Sequence, residues 1–470
     1  MNNTRTLWTF LITSTALFMV TLDNLVVTTA LPVIRLDLGA SLEQLEWTVN
    51  AYTLTFAVLL LTGAALGDRF GRRRLFGIGL AIFTLASALA ALAPSSGALI
   101  GARALQGLGG AIVLPLTLTI LSAAVPPERR GLALGAWGGI SGLAVAFGPV
   151  VGGAVVEGIS WQWIFWLNVP IGLVLLPLAR FRLQETYGTR APLDLPGLAL
   201  ASAGLLGLVW GLVRGNGQGW GSLEVAGSLS VGSVLVAAFV LWELRTRTPM
   251  LPMRFFRNRA FASANGASLL MFFGMFGSIF LLAQFLQTVQ GYSPLGAGLR
   301  ILPWTLMPIF VSPLAGILAD RIGGRPLMVA GLGLQATGLA WLAFVMTPTV
   351  AYGDLVPGFI VSGIGMALCF APIATVVLGS VRPAEEGQAS GANNAIRELG
   401  GVFGVAVLAA VFAGYGGYAS GTSYVDGLVP AVYVGAAVVA LGALAALGIP
   451  GRPRALGLEA EGMEPQLELG

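Results

Sequence analysis

The sequence predicts an all-α integral membrane protein with fourteen spanning helices. Composition, long apolar runs and a charged hairpin that occurs twice carry this reading. Charged residues make up 10% of the 470-residue chain and apolar ones 56%, against about 25% and about 45–50% in soluble domains. Water is therefore not the main solvent for this fold. A spanning helix needs roughly 20 mostly apolar residues. Such runs lie near 7–34, 47–67, 75–93, 98–121, 131–156, 161–180 and 194–213, then near 223–243, 261–289, 295–319, 326–346, 355–379, 388–415 and 427–449. The first is too long for a signal-peptide core and lacks a convincing cleavage site, so it reads as a retained helix. Pro115, Pro149, Pro308 and Pro313 lie within runs. A bilayer tolerates them because neighbouring helices satisfy the freed carbonyls, and they mark kinks near a pathway.

The charged hairpin sets the domain organisation. Gly-Asp-Arg-Phe-Gly-Arg-Arg-Arg at 67–74 follows the second run, and Ala-Asp-Arg-Ile-Gly-Gly-Arg at 319–325 follows the tenth. Asp68 and Asp320 are 252 residues apart, an offset of eight runs. Eight is even, so both hairpins face the same side, as two parallel repeats about an axis along the membrane normal require. Fourteen spans with an eight-span offset divide as six, two inserted and six. The expected units are an N-terminal half at 1–185, an inserted pair at 186–247, a C-terminal half at 248–450 and a disordered tail at 451–470. Asp68, Arg69, Gly71 and Arg72, with Asp320, Arg321 and Arg325 in the second copy, read as a gate in which the aspartate accepts hydrogen bonds from neighbouring arginines or from a helix start in the other half. The alternative, a pure topology signal, does not require an aspartate, an arginine and a glycine at matching offsets in both copies.

Charge fixes orientation and narrows the chemistry. Lysine and histidine are absent, so all 25 cations are arginines. Arg103, Arg300 and Arg397 fall within runs. With the N-terminus inside, only Arg35 and Arg214 lie outside, and the other twenty, including Arg72, Arg73, Arg74, Arg129, Arg130, Arg245, Arg247, Arg254, Arg257 and Arg259, lie inside. The positive-inside rule then places both termini in the cytoplasm. Any group that takes up and releases a proton near neutral pH must be one of 21 carboxylates. The lone Cys369 excludes an intramolecular disulfide and a thiolate cluster. A membrane-embedded enzyme would need paired acids for metal, or histidines, near one interface, and the sequence offers neither.

Asp23 lies deep in the first run, where an ionisable group costs at least roughly 2.5 kcal/mol on insertion scales. Its partner is Arg103 of the fourth run. Counted from the outer ends, Asp23 is about 16 Å deep and Arg103 about 9 Å, a gap that a long arginine bridges. Burial raises a carboxyl pKa and a guanidinium lowers it, so their balance would set proton exchange. The alternative is a permanent ion pair joining two helices. Glycines at 135, 138, 139, 142, 148, 152 and 153 let another helix approach the fifth run closely. Arg397 and Glu398 are helix neighbours about 100° apart, so they are not expected to pair simply with each other. Arg300, with Gln284 and Gln287, would line the C-terminal half of a cavity, or glue neighbouring helices.

With these residues in view, the chain resembles a major facilitator superfamily transporter, specifically the fourteen-span drug:proton antiporter branch. The first-loop motif is carried by Leu66, Asp68, Arg69, Gly71 and Arg72, with Ala64 at its leading glycine; the second copy has Gly316 there, with Asp320, Arg321 and Arg325 in its hairpin. The first-helix motif matches Leu22, Asp23, Ala30, Leu31 and Pro32, with Thr28 and Thr29 where asparagine and valine are usual. Arg103, Gln106, Gly107 and Gly109 match the fourth-helix motif; Gly148, Pro149, Gly152 and Gly153 match the antiporter motif of exporters. Trp161, Trp163, Ile164, Phe165, Asn168, Pro170 and Gly172 follow the sixth-helix pattern with Gln162 for arginine, and Ser390, Gly391, Asn394, Arg397 and Gly400 follow the thirteenth-helix pattern.

The resemblance implies a proton-coupled antiporter, not an enzyme, that exports lipophilic drugs or related small molecules across the cytoplasmic membrane by alternating access. An exporter of an endogenous metabolite or lipid, and a proton-coupled importer on the same fold, are the alternatives. It implies a proton gradient as energy source with no cofactor and no metal. The implied partners are a lipophilic small molecule, protons and the bilayer, with no nucleic acid, and the chain would act as a monomer. Asp23 and Arg103 would couple protons. Asn24, Gln106, Gln284, Gln287, Arg300, Asn394 and Arg397 would line the cavity, and substrate charge stays open.

Overall fold

A computed structural model describes residues 3–188, 193–382 and 385–451, without the side chains of residues 3, 127–135, 138, 139, 141, 142, 145, 146, 320 and 387. The tail beyond 451 and the side chains of Arg129, Arg130 and Asp320 therefore lie outside the described residues, as does the packing of Gly135, Gly138, Gly139 and Gly142. The chain folds as α1 (Asn3–Leu38), α2 (Leu42–Phe70), α3 (Arg72–Ala91), α4 (Ser96–Ala124), α5 (Pro127–Gly158), α6 (Trp163–Trp166), α7 (Asn168–Arg182), α8 (Leu195–Gln218) and α9 (Leu223–Arg245). After a 3₁₀ turn at Met253–Arg257 come α10 (Arg259–Thr288), α11 (Pro294–Thr305), α12 (Met307–Ile322), α13 (Gly324–Val345), α14 (Tyr352–Gly379), α15 (Glu386–Tyr415) and α16 (Gly421–Ala446).

Taking α6 with α7 and α11 with α12 as single spans, thirteen described helices are long and apolar enough to cross a membrane. The 32-residue α5 is a further helix of spanning length, so the architecture is compatible with fourteen. The α11–α12 break falls at Leu306, just ahead of Pro308, whose missing N–H is harmless in a first helical turn. Pro115, Pro149 and Pro313 instead lie inside continuous helices. Large apolar side chains such as Leu85, Leu89, Leu173, Phe310, Leu314, Phe344 and Leu444 point outward, where a bilayer in place of water would receive them.

Both charged hairpins are single-residue turns built the same way. Gly71 (φ +105°) separates α2 from α3, and Gly323 (φ +86°) separates α12 from α13, each three residues after its aspartate. A left-handed φ strains any residue with a Cβ, so glycine at this offset lets two long helices reverse with no loop.

Helix contacts group α1–α5 and α7 on one side and α10–α16 on the other, joined chiefly through α5 against α11 and α2 against α15. The α8–α9 hairpin is tight because Gly204, Gly207 and Gly232 bring the backbones together. α8 then packs on both α2 and α15, with Val209 and Val213 meeting Leu54, Val58, Val402 and Ala406.

Candidate functional site

Asp23 is the centre of a buried polar cluster assembled from five helices. It is 1% exposed, and Arg103 is fully buried. Arg103 Nη1 donates to Asp23 Oδ2 at 2.5 Å, and Asp23 Oδ1 accepts from Gln106 Nε2 and from Asn168 Nδ2, both at 2.7 Å. Arg103 also donates to Gln106 Oε1 at 2.7 Å and, through Nε, to the Thr48 carbonyl at 3.2 Å. Gln106 Nε2 reaches Ser87 Oγ at 2.9 Å. The guanidinium lies 4.1 Å from the Tyr52 ring centre, so its apolar faces are covered by an aromatic surface that favours a cation. Among the described residues Arg103 Nη2 has no hydrogen-bond partner. One buried arginine and two amides hold one carboxylate, and a proton on that carboxylate would remove the charge on which the arrangement rests.

The antiporter-motif residues place α5 between α1 and α11. A Cβ at Gly148 would meet Leu25 Cβ at 2.6 Å, one at Gly152 the Val26 carbonyl at 2.7 Å, and one at Gly153 Leu295 Cα at 2.7 Å. Gly298 of α11 approaches Pro149 as closely from the other side, with the Pro149 carbonyl carbon 2.8 Å from where its Cβ would be. All these contacts lie toward the arginine-poor end. Polar ties close the same end. Glu157 Oε2 accepts from the Leu295 N–H at 3.1 Å, Gln287 Nε2 donates to the Thr29 carbonyl at 2.9 Å, and the Arg35 guanidinium stacks 3.5 Å from the Tyr418 ring centre.

A family model for the Major Facilitator Superfamily matches residues 13–405 and 267–466. The chain belongs to this superfamily. Within it, the chain is 35% identical over 407 residues to the tetracenomycin C resistance and export protein of Streptomyces glaucescens, covering 86% of this chain and 76% of that one. It is 38% identical over 417 residues to the multidrug resistance protein Stp of Mycobacterium tuberculosis, covering 88% and 77%. It is 40% identical over 406 residues to the cephamycin export protein CmcT of Amycolatopsis lactamdurans, covering 84% and 83%. In fold it is similar to a bacterial homologue of the lysosomal transporter Spinster, with TM-score 0.67, 16% identity and coverage of 96% and 98%. This superfamily member is a transporter, not an enzyme.

The remaining sequence candidates of this superfamily fold are placed as follows. Asp68 forms an ion pair with Arg72 at 2.7 Å. The backbone beside it is tied to the segment after α7: the Gly188 N–H donates to the Asp68 carbonyl, the Arg72 N–H to the Thr186 carbonyl and the Arg73 N–H to Glu185 Oε1. Arg69 stacks 5.4 Å from the Phe70 ring centre. Arg321 and Arg325 lie in the last turn of α12 and the first turn of α13. Asn24 and Asn394 are half-buried.

One expectation is corrected. Arg397 does pair with its neighbour, Nη2 to Glu398 Oε1 at 3.1 Å, because a four-bond arginine stem curls across the 100° between adjacent positions. The Arg300 guanidinium stacks 3.5 Å from the Tyr292 ring centre and 5.3 Å from that of Tyr352, with Nη1 on the Gly296 carbonyl. Gln284 accepts from the Tyr418 hydroxyl at 2.6 Å. Sequence reasoning gave no site role to Asn168, Ser87 or Tyr52. Asn168 and Ser87 lay within apolar runs as polar residues of ordinary type, a signal too weak to distinguish from helix glue.

Proposed function

We propose that the chain is a proton-coupled antiporter that exports lipophilic small molecules across the cytoplasmic membrane, with both termini inside. The observation that carries it is the water-excluded Asp23–Arg103 pair, bridging α1 and α4 beside the helix that closes the arginine-poor end. The drug- and antibiotic-export names of relatives at 35–40% identity support the direction. Two six-helix halves rock about the central site, and the α8–α9 pair is an insert between them. A proton on Asp23 cancels its charge and releases Arg103 from α1. The two states of the pair thereby favour different openings, which is the differential stabilisation that coupling requires. The hairpins at Asp68 and Asp320 act as the cytoplasmic gate, and the proton gradient supplies the energy without a cofactor.

The test is ethidium efflux from everted vesicles energised by a pH gradient. Asp23→Asn is expected to abolish gradient-driven efflux with the chain still inserted. Efflux at the wild-type rate in this variant refutes the assignment.

A further inference from the structure

A second acid lies one helix away from Asp23 and has no partner. Glu46 of α2 is 3% exposed, and among the described residues it makes no hydrogen bond and no ion pair; its Oε2 is buried and unsatisfied. Asn50, one turn further along, is 0% exposed, and both its amide nitrogen and its oxygen lack partners. Buried polar groups are ordinarily hydrogen-bonded. Three unsatisfied atoms on one face of one helix, in a chain that satisfies every oxygen of Asp23, point to groups that await something.

That face looks between the halves. At about 100° per residue, positions 46, 50, 54 and 61 of α2 fall within about 80° of one another. Leu54 clusters with Val402 and Ala406 of α15, and Leu61 lies against Gly391 of the same helix. Toward the arginine-poor end, burial pushes the Tyr418 hydroxyl's pKa up, Arg35 pulls it down and Glu46 pushes it up. The Thr48 carbonyl, which accepts from Arg103, sits between Glu46 and Asn50 in the chain. One stretch of α2 thus touches the Asp23 cluster with its backbone, and Leu54 and Leu61 of the face that carries Glu46 and Asn50 pack on α15.

Charge accounting selects the ligand. Arg103 is held by Asp23, Arg397 by Glu398, and Arg214 by Glu43 and Glu224, while Arg300 is stacked on tyrosines of the C-terminal half. Arg35 is stacked on Tyr418 and not within ion-pair distance of Glu46. Glu46 is left as a buried acid without a cation among the described residues, in an apolar setting where ionisation is costly unless a cation pairs with it. We propose that Glu46 and Asn50 form the recognition site for the positively charged group of a lipophilic organic cation, with Asn50 orienting it. Calling that cation the cargo rests on the export reading; the existence of the site does not.

Equilibrium dialysis of tetraphenylphosphonium against the purified full-length chain in detergent tests it, with the same-shaped anion tetraphenylborate as the control. The wild type is expected to prefer the phosphonium. Glu46→Gln should weaken phosphonium binding by about tenfold or more, as loss of a buried charge partner does. It should leave borate binding equal or improved, and Glu46→Asp should restore most of the phosphonium affinity. A merely structural role would lower both ions alike. Equal binding of the two ions by the wild type, or unchanged phosphonium binding in Glu46→Gln, overturns the proposal. Phosphonium binding that depends on Glu46 in a chain that does not lower cellular ethidium refutes export and leaves the site standing. Ethidium export by a chain whose phosphonium binding ignores Glu46 does the reverse.

Discussion

The Asp23 carboxylate and the Arg103 guanidinium meet at 2.5 Å in a pocket that excludes water from both side chains. Removing one partner of such a pair leaves an unpaired buried group and costs about 3–5 kcal/mol. Arg103→Gln alone is therefore expected to destabilise more than Asp23→Asn and Arg103→Gln together, since the double variant leaves two neutral amides that can bond each other. The thiol of Cys369, the one cysteine and fully buried, reports unfolding through its maleimide labelling rate under denaturant. Additive losses in the double variant would show that the two side chains do not act as a unit.

Gly153 sets how closely α5 approaches α11. A methyl there would sit 2.7 Å from Leu295 Cα, with the Pro294 carbonyl nearer still. Neither atom is the movable end of a side chain, so Gly153→Ala should force the arginine-poor end apart. Gly227, whose Cβ would meet nothing within 4 Å, is the control for Gly→Ala in a spanning helix. Spin-label distances between the α5 and α11 termini should lengthen in Gly153→Ala only, with efflux reduced by about tenfold or more, a cost of the order expected for overpacking. Unchanged distances would remove this contact from the closing mechanism.

Arg35 and Tyr418 tie α1 to the α15–α16 connection by stacking alone, with Tyr418 passing a hydrogen bond on to Gln284. Cation–π pairs contribute about 0.5–2 kcal/mol depending on exposure. Arg35→Ala should shift the population toward opening at that end by about threefold or more. Accessibility of a cysteine placed at Gln287 to an impermeant thiol reagent measures this. Tyr418→Phe should retain the stacking and lose only the Gln284 bond, giving a smaller rise. Equal rises in the two variants would assign the effect to the hydroxyl.

Asp23 and Arg103 were legible in the sequence because charge inside an apolar run is rare and each had few candidates to pair with. The glycine of each hairpin was legible for a similar reason: only a tight reversal needs it, and the structure gives both a positive φ. Asn168 and Ser87 were not, since an amide or hydroxyl in a spanning helix is common and its partner depends on which helix faces it. Arg397 and Glu398 failed in the opposite way. A helical wheel gives the direction of a Cβ, whereas a flexible side chain ends several ångströms from it, and the short Arg397–Glu398 contact needs only that freedom. The isolation of Glu46 was equally invisible, because lacking a partner is a property of every surrounding element.

By itself the sequence determined that the chain lives in a bilayer, that one charged hairpin recurs in it, and which acid is buried deepest in its first helix. These follow from composition, period and the cost of charge in hydrocarbon, all of which act locally along the chain. The tertiary structure alone decided that Asp23 is shared by Arg103, Gln106 and Asn168, that the arginine-poor end is shut through α5 and α11, and that Glu46 and Asn50 are left unsatisfied. Each depends on the rotation and tilt of one helix against another. Packing of small residues sets those angles, and no single run of sequence contains both sides of the contact.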